Sequence, residues 1–401
     1  MTRLRMSGGA RAVAVAVLAG AVALGAVGWP AAKGTGTTGA AAKPTAAVSM
    51  GDSFISGEGG RWFGNSQDPF GDRDGTDRAA FGCGGLGCEH DPERVYGGTD
   101  ANGCHRSDVA PIASALGEGL AVDQAFNLAC SGAETEHLWR ADRGGQSFKG
   151  EAPQADQLAA VARRADVELV VLTAIANDLG FKDHVVGCVE AWSTSTPWKP
   201  RYCAAQEQAE VDAGLAGARA GLAKAVDEVR AVLGAAGERP GGYRLMVMDY
   251  SSPIPRGALF RYPESGWKRL TRGGCPFWDE DADWANDGIT PAMSGAMRAV
   301  AAAKGAEYLD VQRALEGHQV CDRRASEVGN AGPDEASAEW ARRLIPGCCQ
   351  GGTQESLHPN AYGQRALGRC IALAFEQPPG ERGCRATPGA GIDAIVLGAV
   401  P

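Results

Sequence analysis

Ala46-Ala47-Val48-Ser49-Met50-Gly51-Asp52-Ser53-Phe54-Ile55-Ser56-Gly57-Glu58-Gly59 is a short apolar run that stops at Gly-Asp, with a serine just past the stop. A run of this length bounded by turn residues reads as a buried strand, Ala46 to Ser49, so Ser53 stands where a strand ends. Outward from it, further strand candidates fall at Gln124 to Leu128, Glu168 to Leu172, Tyr243 to Asp249 and Glu307 to Val311. Helical stretches lie between and after them, at Val109 to Leu116, Gln154 to Arg164, Ala204 to Leu233, Met293 to Ala303 and Asn360 to Glu376. Strands alternating with helices predict a parallel sheet covered on both faces, a three-layer α/β/α sandwich.

Near the other end stands Glu355-Ser356-Leu357-His358-Pro359-Asn360. A serine hydroxyl is a weak nucleophile at neutral pH; an imidazole must take its proton, and a third group must hold the imidazole in the right tautomer. Ser53 and His358 are the candidates for the first two roles. Gly-Asp-Ser alone is also an ordinary turn and His-Pro an ordinary loop, so the reading rests on the pair. Two more segments fit it. Ala125 to Ala133 runs as a strand into the turn Cys130-Ser131-Gly132, where bare backbone can approach a ligand. The run Val167 to Ala176 ends in Asn177-Asp178, at the end of a strand where open α/β sheets bind ligands.

These four blocks, in this order, resemble the SGNH (GDSL) hydrolase superfamily, whose sandwich is flavodoxin-like. The phrases Gly103-Cys104-His105-Arg106-Ser107 and Asn177-Asp178-Leu179-Gly180-Phe181 resemble its secreted actinobacterial lipase/esterase branch. The likeness covers most of residues 46 to 376. It implies Ser53 as nucleophile and His358 as general base. The implied oxyanion hole combines the N–H groups of Ser53 and Gly132 with the amide side chain of Asn177. Fixed donors there stabilise the charge that acyl transfer builds on the carbonyl oxygen. It also implies a Cys104–Cys130 disulfide.

Two positions depart from the family pattern. Ile175 stands where the third block usually has glycine; if that position needs φ > 0, a β-branched residue there is strained. Glu355 stands where the family has the aspartate of Asp-x-x-His. Either its carboxylate orients His358 or the backbone carbonyl at that position does.

Arg3, Arg5 and Arg11, followed by the uncharged Ala12 to Ala32, read as a secretory signal, with an uncleaved anchor as the other reading. Residues 33–45 read as a flexible linker, residues 46–378 as one hydrolase domain, and 379–401 as a C-terminal tail. Loop insertions are expected at about 59–103, 182–203 and 251–290. The first of these follows Ser53, and Trp62, Phe63, Phe70 and Tyr96 are expected to wall the cleft.

The formal charge of −9 becomes −12 without the three leader arginines, which argues against nucleic-acid or anionic-membrane binding. Twelve cysteines behind an export signal favour disulfides. Proximity suggests Cys83–Cys88, Cys188–Cys203 and Cys370–Cys384, although spacing does not fix connectivity. A zinc site at Cys83, Cys88, His90 and Cys104 lacks a Cys-x-x-Cys knuckle. Asp279 to Asp283 begins like a calcium loop, but Trp284 and Thr290 stand where its glycine and glutamate belong. The histidines other than His358 have no partner motif.

The expected activity is a secreted, monomeric serine esterase or lipase acting on small-molecule, lipid or acetylated-glycan esters. It needs no cofactor or metal and, once the leader is cleaved, no stable membrane insertion. Acyl transfer to a sugar or natural-product hydroxyl, and a lapsed wall-associated binding module, are the alternatives.

Overall fold

The computed structural model describes residues 42–85, 87–345 and 349–400, so the expected leader and most of the linker lie outside the described residues. In chain order the strands are β1 Thr45–Gly51, β2 Ala80–Gly84, β3 Gly87–His90, β4 Gln124–Asn127, β5 Asp166–Thr173, β6 Arg244–Met248, β7 Glu307–Arg313, β8 Glu381–Arg385 and β9 Val396–Gly398. Seven form one sheet in the order β4-β1-β5-β6-β7-β8-β9. Every pairing is parallel except β8 with β9. Strands β2 and β3 form a separate hairpin.

Successive strand side chains point to opposite faces, so the unbroken burial of Ala46 to Gly51 in β1 requires cover on both sides. Two sets of helices pack around the sheet. Pro111–Gly117 lies on Ala361–Glu376, close enough that a Cβ on Gly368 would sit 2.5 Å from that of Ser114. The long helix Ala204–Ala235 packs on Gln154–Ala162 and Thr290–Lys304. Its N-terminus is held by Asp281, whose carboxylate accepts the Cys203 and Ala204 N–H groups at 2.9 and 3.1 Å. The calcium-like Asp279 to Asp283 run is therefore helical and structural.

The chain leaves β1 to build β4, then crosses back to β5 and continues the other way. The order reverses beside β1, and ligands in open α/β sheets bind at the carboxyl ends of strands flanking such a switch. Ser53 follows β1 there and Asn177 follows β5.

Five disulfides form among the described residues. Cys83–Cys88, Cys104–Cys130, Cys188–Cys203 and Cys370–Cys384 match the sequence expectation, and Cys275–Cys321 joins them. The zinc alternative is thereby excluded, because three of its four ligands are oxidised.

Two boundaries differ from expectation. The segment expected as a tail is part of the sheet as far as it is described, to residue 400: β8 extends the sheet beyond β7, β9 pairs onto β8, and Cys370–Cys384 fastens them to the last helix. The segment at 182–203 is mostly the helix Phe181–Ser193 rather than loop. Among the described residues no helix is long and apolar enough to cross a membrane.

Candidate active site

The site begins with the backbone at the end of β1. Gly51 has φ +142°, and a Cβ there would fall 1.8 Å from the Thr173 carbonyl of β5, so only glycine lets the two strand ends close. Gln154 clamps the same residue, accepting its N–H at 2.7 Å and donating to its carbonyl at 2.8 Å. Asp52 then caps the four-residue helix Ser53–Ser56 by accepting the Phe54 N–H at 3.0 Å, which turns Ser53 outward at the strand end.

His358 arrives from 305 positions later. Its loop is zipped to the segment before it: Leu357 donates to the Arg342 carbonyl, Arg342 to the His358 carbonyl, and Asn360 to the Trp340 carbonyl, all within 2.9 Å. Asn360 also caps the following helix at Tyr362 and Gly363. Gly59 makes room on the other side, since a Cβ there would lie 3.2 Å from that of His358.

His358 Nε2 stands 2.7 Å from Ser53 Oγ, and Nδ1 stands 3.1 Å from the Ser356 carbonyl. A carbonyl only accepts, so Nδ1 carries the proton and Nε2 presents its lone pair to the serine hydroxyl. That is the tautomer a general base requires. Burial pushes the imidazole below its ordinary value, opposed by the Glu58 charge and by the Ser356 and Gln354 carbonyls.

The expectation for Glu355 is overturned. Its carboxylate accepts from Trp62 Nε1 at 2.9 Å, Tyr96 hydroxyl at 2.7 Å and the Gly352 N–H at 3.1 Å, so its oxygens are spent away from Nδ1. The carbonyl alternative shifts too, because the acceptor belongs to Ser356, one residue on. Trp62 and Tyr96 are buried braces of this carboxylate, not walls of a cleft, whereas Phe70 is exposed. The Trp62 ring is overlaid by the Arg342 guanidinium at 4.0 Å, and burial pulls that guanidinium down to about 9.

Glu58 is fully buried beside the histidine loop and pairs with His105 Nδ1 at 2.7 Å. His105 stacks on Tyr96; burial would lower it, but Glu58 outweighs that and raises it.

The amide side of the site is stitched together by the Asn177-Asp178 pair. Asn177 Nδ2 donates to the Ala133 carbonyl at 2.9 Å, spending one of its two N–H bonds. Asp178 accepts from the Thr135 N–H and, at 2.5 Å, from its hydroxyl. Both fasten the turn carrying Gly132, whose φ is +85°. Among the described residues neither the Ser53 nor the Gly132 N–H has a hydrogen-bond partner.

Ile175 has φ +126° and is fully buried, so the strain foreseen for a residue in the family's glycine position is present. Tyr250 supports the next peptide: its hydroxyl accepts the Ala176 N–H at 3.2 Å and donates to Asp52 at 2.5 Å. Neither Tyr250 nor Gln154 carries a motif, and the sequence reading missed both.

Among the described residues, His184, Glu207 and Glu210 bring ligand atoms within 4.8 Å of one another. His184 already uses both nitrogens, on Glu207 and the Leu179 carbonyl, which fixes the end of the Asn177 turn.

A largely parallel α/β sheet that sets a serine hydroxyl against a histidine nitrogen at its switch point, with unpartnered N–H groups on Ser53 and Gly132 among the described residues, is an arrangement suited to acyl transfer. The chain belongs to the GDSL-like lipase/acylhydrolase family, whose model matches residues 94–366, and is an ester-hydrolysing enzyme. The matched stretch contains His358 and begins after Ser53.

Among solved structures the chain is similar to phospholipase A1 from Streptomyces albidoflavus, with 19% identity, TM-score 0.47, and 83% of this chain and 98% of that one covered. It is also similar to an extracellular lipase from Streptomyces rimosus, with 19% identity, TM-score 0.45 and coverages of 82% and 98%. A carbohydrate acetylesterase from Sinorhizobium meliloti gives 15% identity, TM-score 0.32 and coverages of 82% and 96%. Comparison with curated proteins gives no match.

Proposed function

We propose that this enzyme is a secreted serine esterase or lipase that works through an acyl-enzyme on Ser53. His358 Nε2 takes the Ser53 proton as Oγ bonds to the ester carbonyl carbon. The carbonyl oxygen becomes an oxyanion held by the N–H groups of Ser53 and Gly132 and the second N–H of Asn177 Nδ2. Collapse breaks the carbon–oxygen bond to the alcohol, which leaves with the proton from His358. Water then gives a proton to His358 as its oxygen bonds to the acyl carbon, and collapse breaks the bond to Ser53 Oγ, which takes the proton back from His358 as the acid is released. No step calls for a metal or organic cofactor.

The observation that carries this reading is the 2.7 Å Ser53–His358 contact together with the Ser356 carbonyl on the far nitrogen. The reading is a dyad positioned by backbone, with Glu355 outside the chemistry. Export rests on the arginine-led apolar segment and on five disulfides, which persist in oxidising compartments.

A fluorophosphonate probe is expected to label Ser53, and Ser53→Ala to abolish hydrolysis of short p-nitrophenyl esters. Full activity in Ser53→Ala would refute the assignment.

A further inference from the structure

Phe148 and Glu151 exchange both backbone hydrogen bonds, at 3.0 and 2.9 Å, around the two-residue loop Lys149-Gly150. Both loop residues have positive φ, +49° and +80°, the primed turn in which the first position favours Asn, Asp or Gly. A lysine held in the left-handed region is an outlier of the kind that structures keep for a reason.

The side chain supplies one. Lys149 Nζ donates to the Ser131 carbonyl at 2.7 Å and to the Gly103 carbonyl at 2.5 Å. The Ser131 carbonyl and the Gly132 N–H belong to the same peptide group. The neighbouring Phe148 ring lies beside Gly132, 3.5 Å from where a Cβ would be, so the loop packs directly on that peptide.

From this geometry we infer that Lys149 is a positioning residue that polarises the Ser131–Gly132 peptide, strengthening the Gly132 N–H as an oxyanion donor. A cation on a peptide oxygen draws electron density from the nitrogen, so the N–H on the far side carries more positive charge. Hydrogen bonds in such chains reinforce one another by roughly 10–30% each. The strengthening matters most when the acceptor is an oxyanion, so the effect falls on the transition state rather than on the bound ester. The inference rests on Gly132 serving the oxyanion, as proposed above.

Lys149→Met removes the charge and Lys149→Arg keeps it. Each is compared with wild type for kcat, KM, melting temperature, and inhibition by phenylboronic acid, whose serine adduct carries the tetrahedral negative charge. In Lys149→Met, kcat is expected to fall about tenfold, a fraction of the loss for a whole donor, with boronate affinity falling in step. KM and melting temperature stay near wild type, and Lys149→Arg recovers most of kcat. Unchanged kcat and boronate affinity overturn the inference. So does a joint fall of kcat, KM performance and melting temperature, which marks a structural staple. Fluorophosphonate labelling of the wild type separates the two levels: labelled Ser53 with an indifferent Lys149 sinks only the polarisation, while unlabelled Ser53 sinks the serine mechanism with it.

Discussion

Tyr250 joins the two halves of the site through one hydroxyl, giving its proton to Asp52 at 2.5 Å and taking the Ala176 N–H at 3.2 Å. Asp52 caps the Ser53 turn and Ala176 precedes Asn177, so the Ser53 turn and the Asn177 segment share a common anchor. The Tyr250 ring also meets Phe54 edge-on at 5.2 Å, a contact that phenylalanine keeps. Tyr250→Phe therefore removes the anchor with little loss of packing.

The expected outcome for Tyr250→Phe is a fall in kcat of about tenfold, since a donor displaced from the oxyanion loses part of its effect. If the tyrosine acts partly through Asn177, the same substitution costs less in an Asn177→Ala background than in the wild type, the remainder coming through Asp52. A double-mutant cycle in kcat decides the matter, and additive losses would sink the shared-anchor account.

Ile175→Gly sets two effects against each other. Glycine relieves a strained φ of +126°, worth about 1–3 kcal/mol, but deletes a fully buried side chain whose truncation to alanine alone costs about 2–5 kcal/mol. The packing loss is the larger, so the variant is expected to be less stable by roughly 1–3 kcal/mol in urea unfolding while keeping its esterase activity. A variant more stable than wild type would mean that the strain exceeds the packing.

The strand that ends in Gly-Asp-Ser was legible because a buried parallel strand writes itself as a continuous apolar run, and the same holds for β5 and β6. Strands β8 and β9 were not, since Glu381 to Arg385 alternates nothing and relies on β7 and a disulfide for its place. Proximity found the short disulfide loops but not Cys275–Cys321, which spans 46 residues. The role of Glu355 was misread for a similar reason. Spacing from His358 is local information, whereas the groups that claim its carboxylate, Trp62 and Tyr96, come from the other end of the chain.

That arrangement makes Glu355→Gln informative. An amide keeps one acceptor oxygen, so one of the Trp62 and Tyr96 donors loses its partner, and Arg342 loses a compensating charge nearby. Stability is expected to drop by about 1–3 kcal/mol, while kcat stays within a few-fold of wild type. A hundredfold loss of kcat in folded protein would restore Glu355 to the catalytic machinery.

The acid limb of the pH profile tests the environment of His358. The base works only when neutral, so kcat/KM falls as pH drops through its pKa. Burial, the largest influence, lowers that pKa from the ordinary 6.5, and the limb is expected below pH 6.5. Glu58 pulls the other way by favouring the imidazolium, so Glu58→Gln should move the limb further down. The same substitution should lower the plateau rate, because the imidazolium formed on proton transfer loses a stabilising charge. His105, paired with Glu58 at 2.7 Å, also stacks on Tyr96, a contact that does not depend on the Glu58 charge. An acid limb that stays put in Glu58→Gln would remove Glu58 from the electrostatics of the base, leaving the Ser356 carbonyl as its partner.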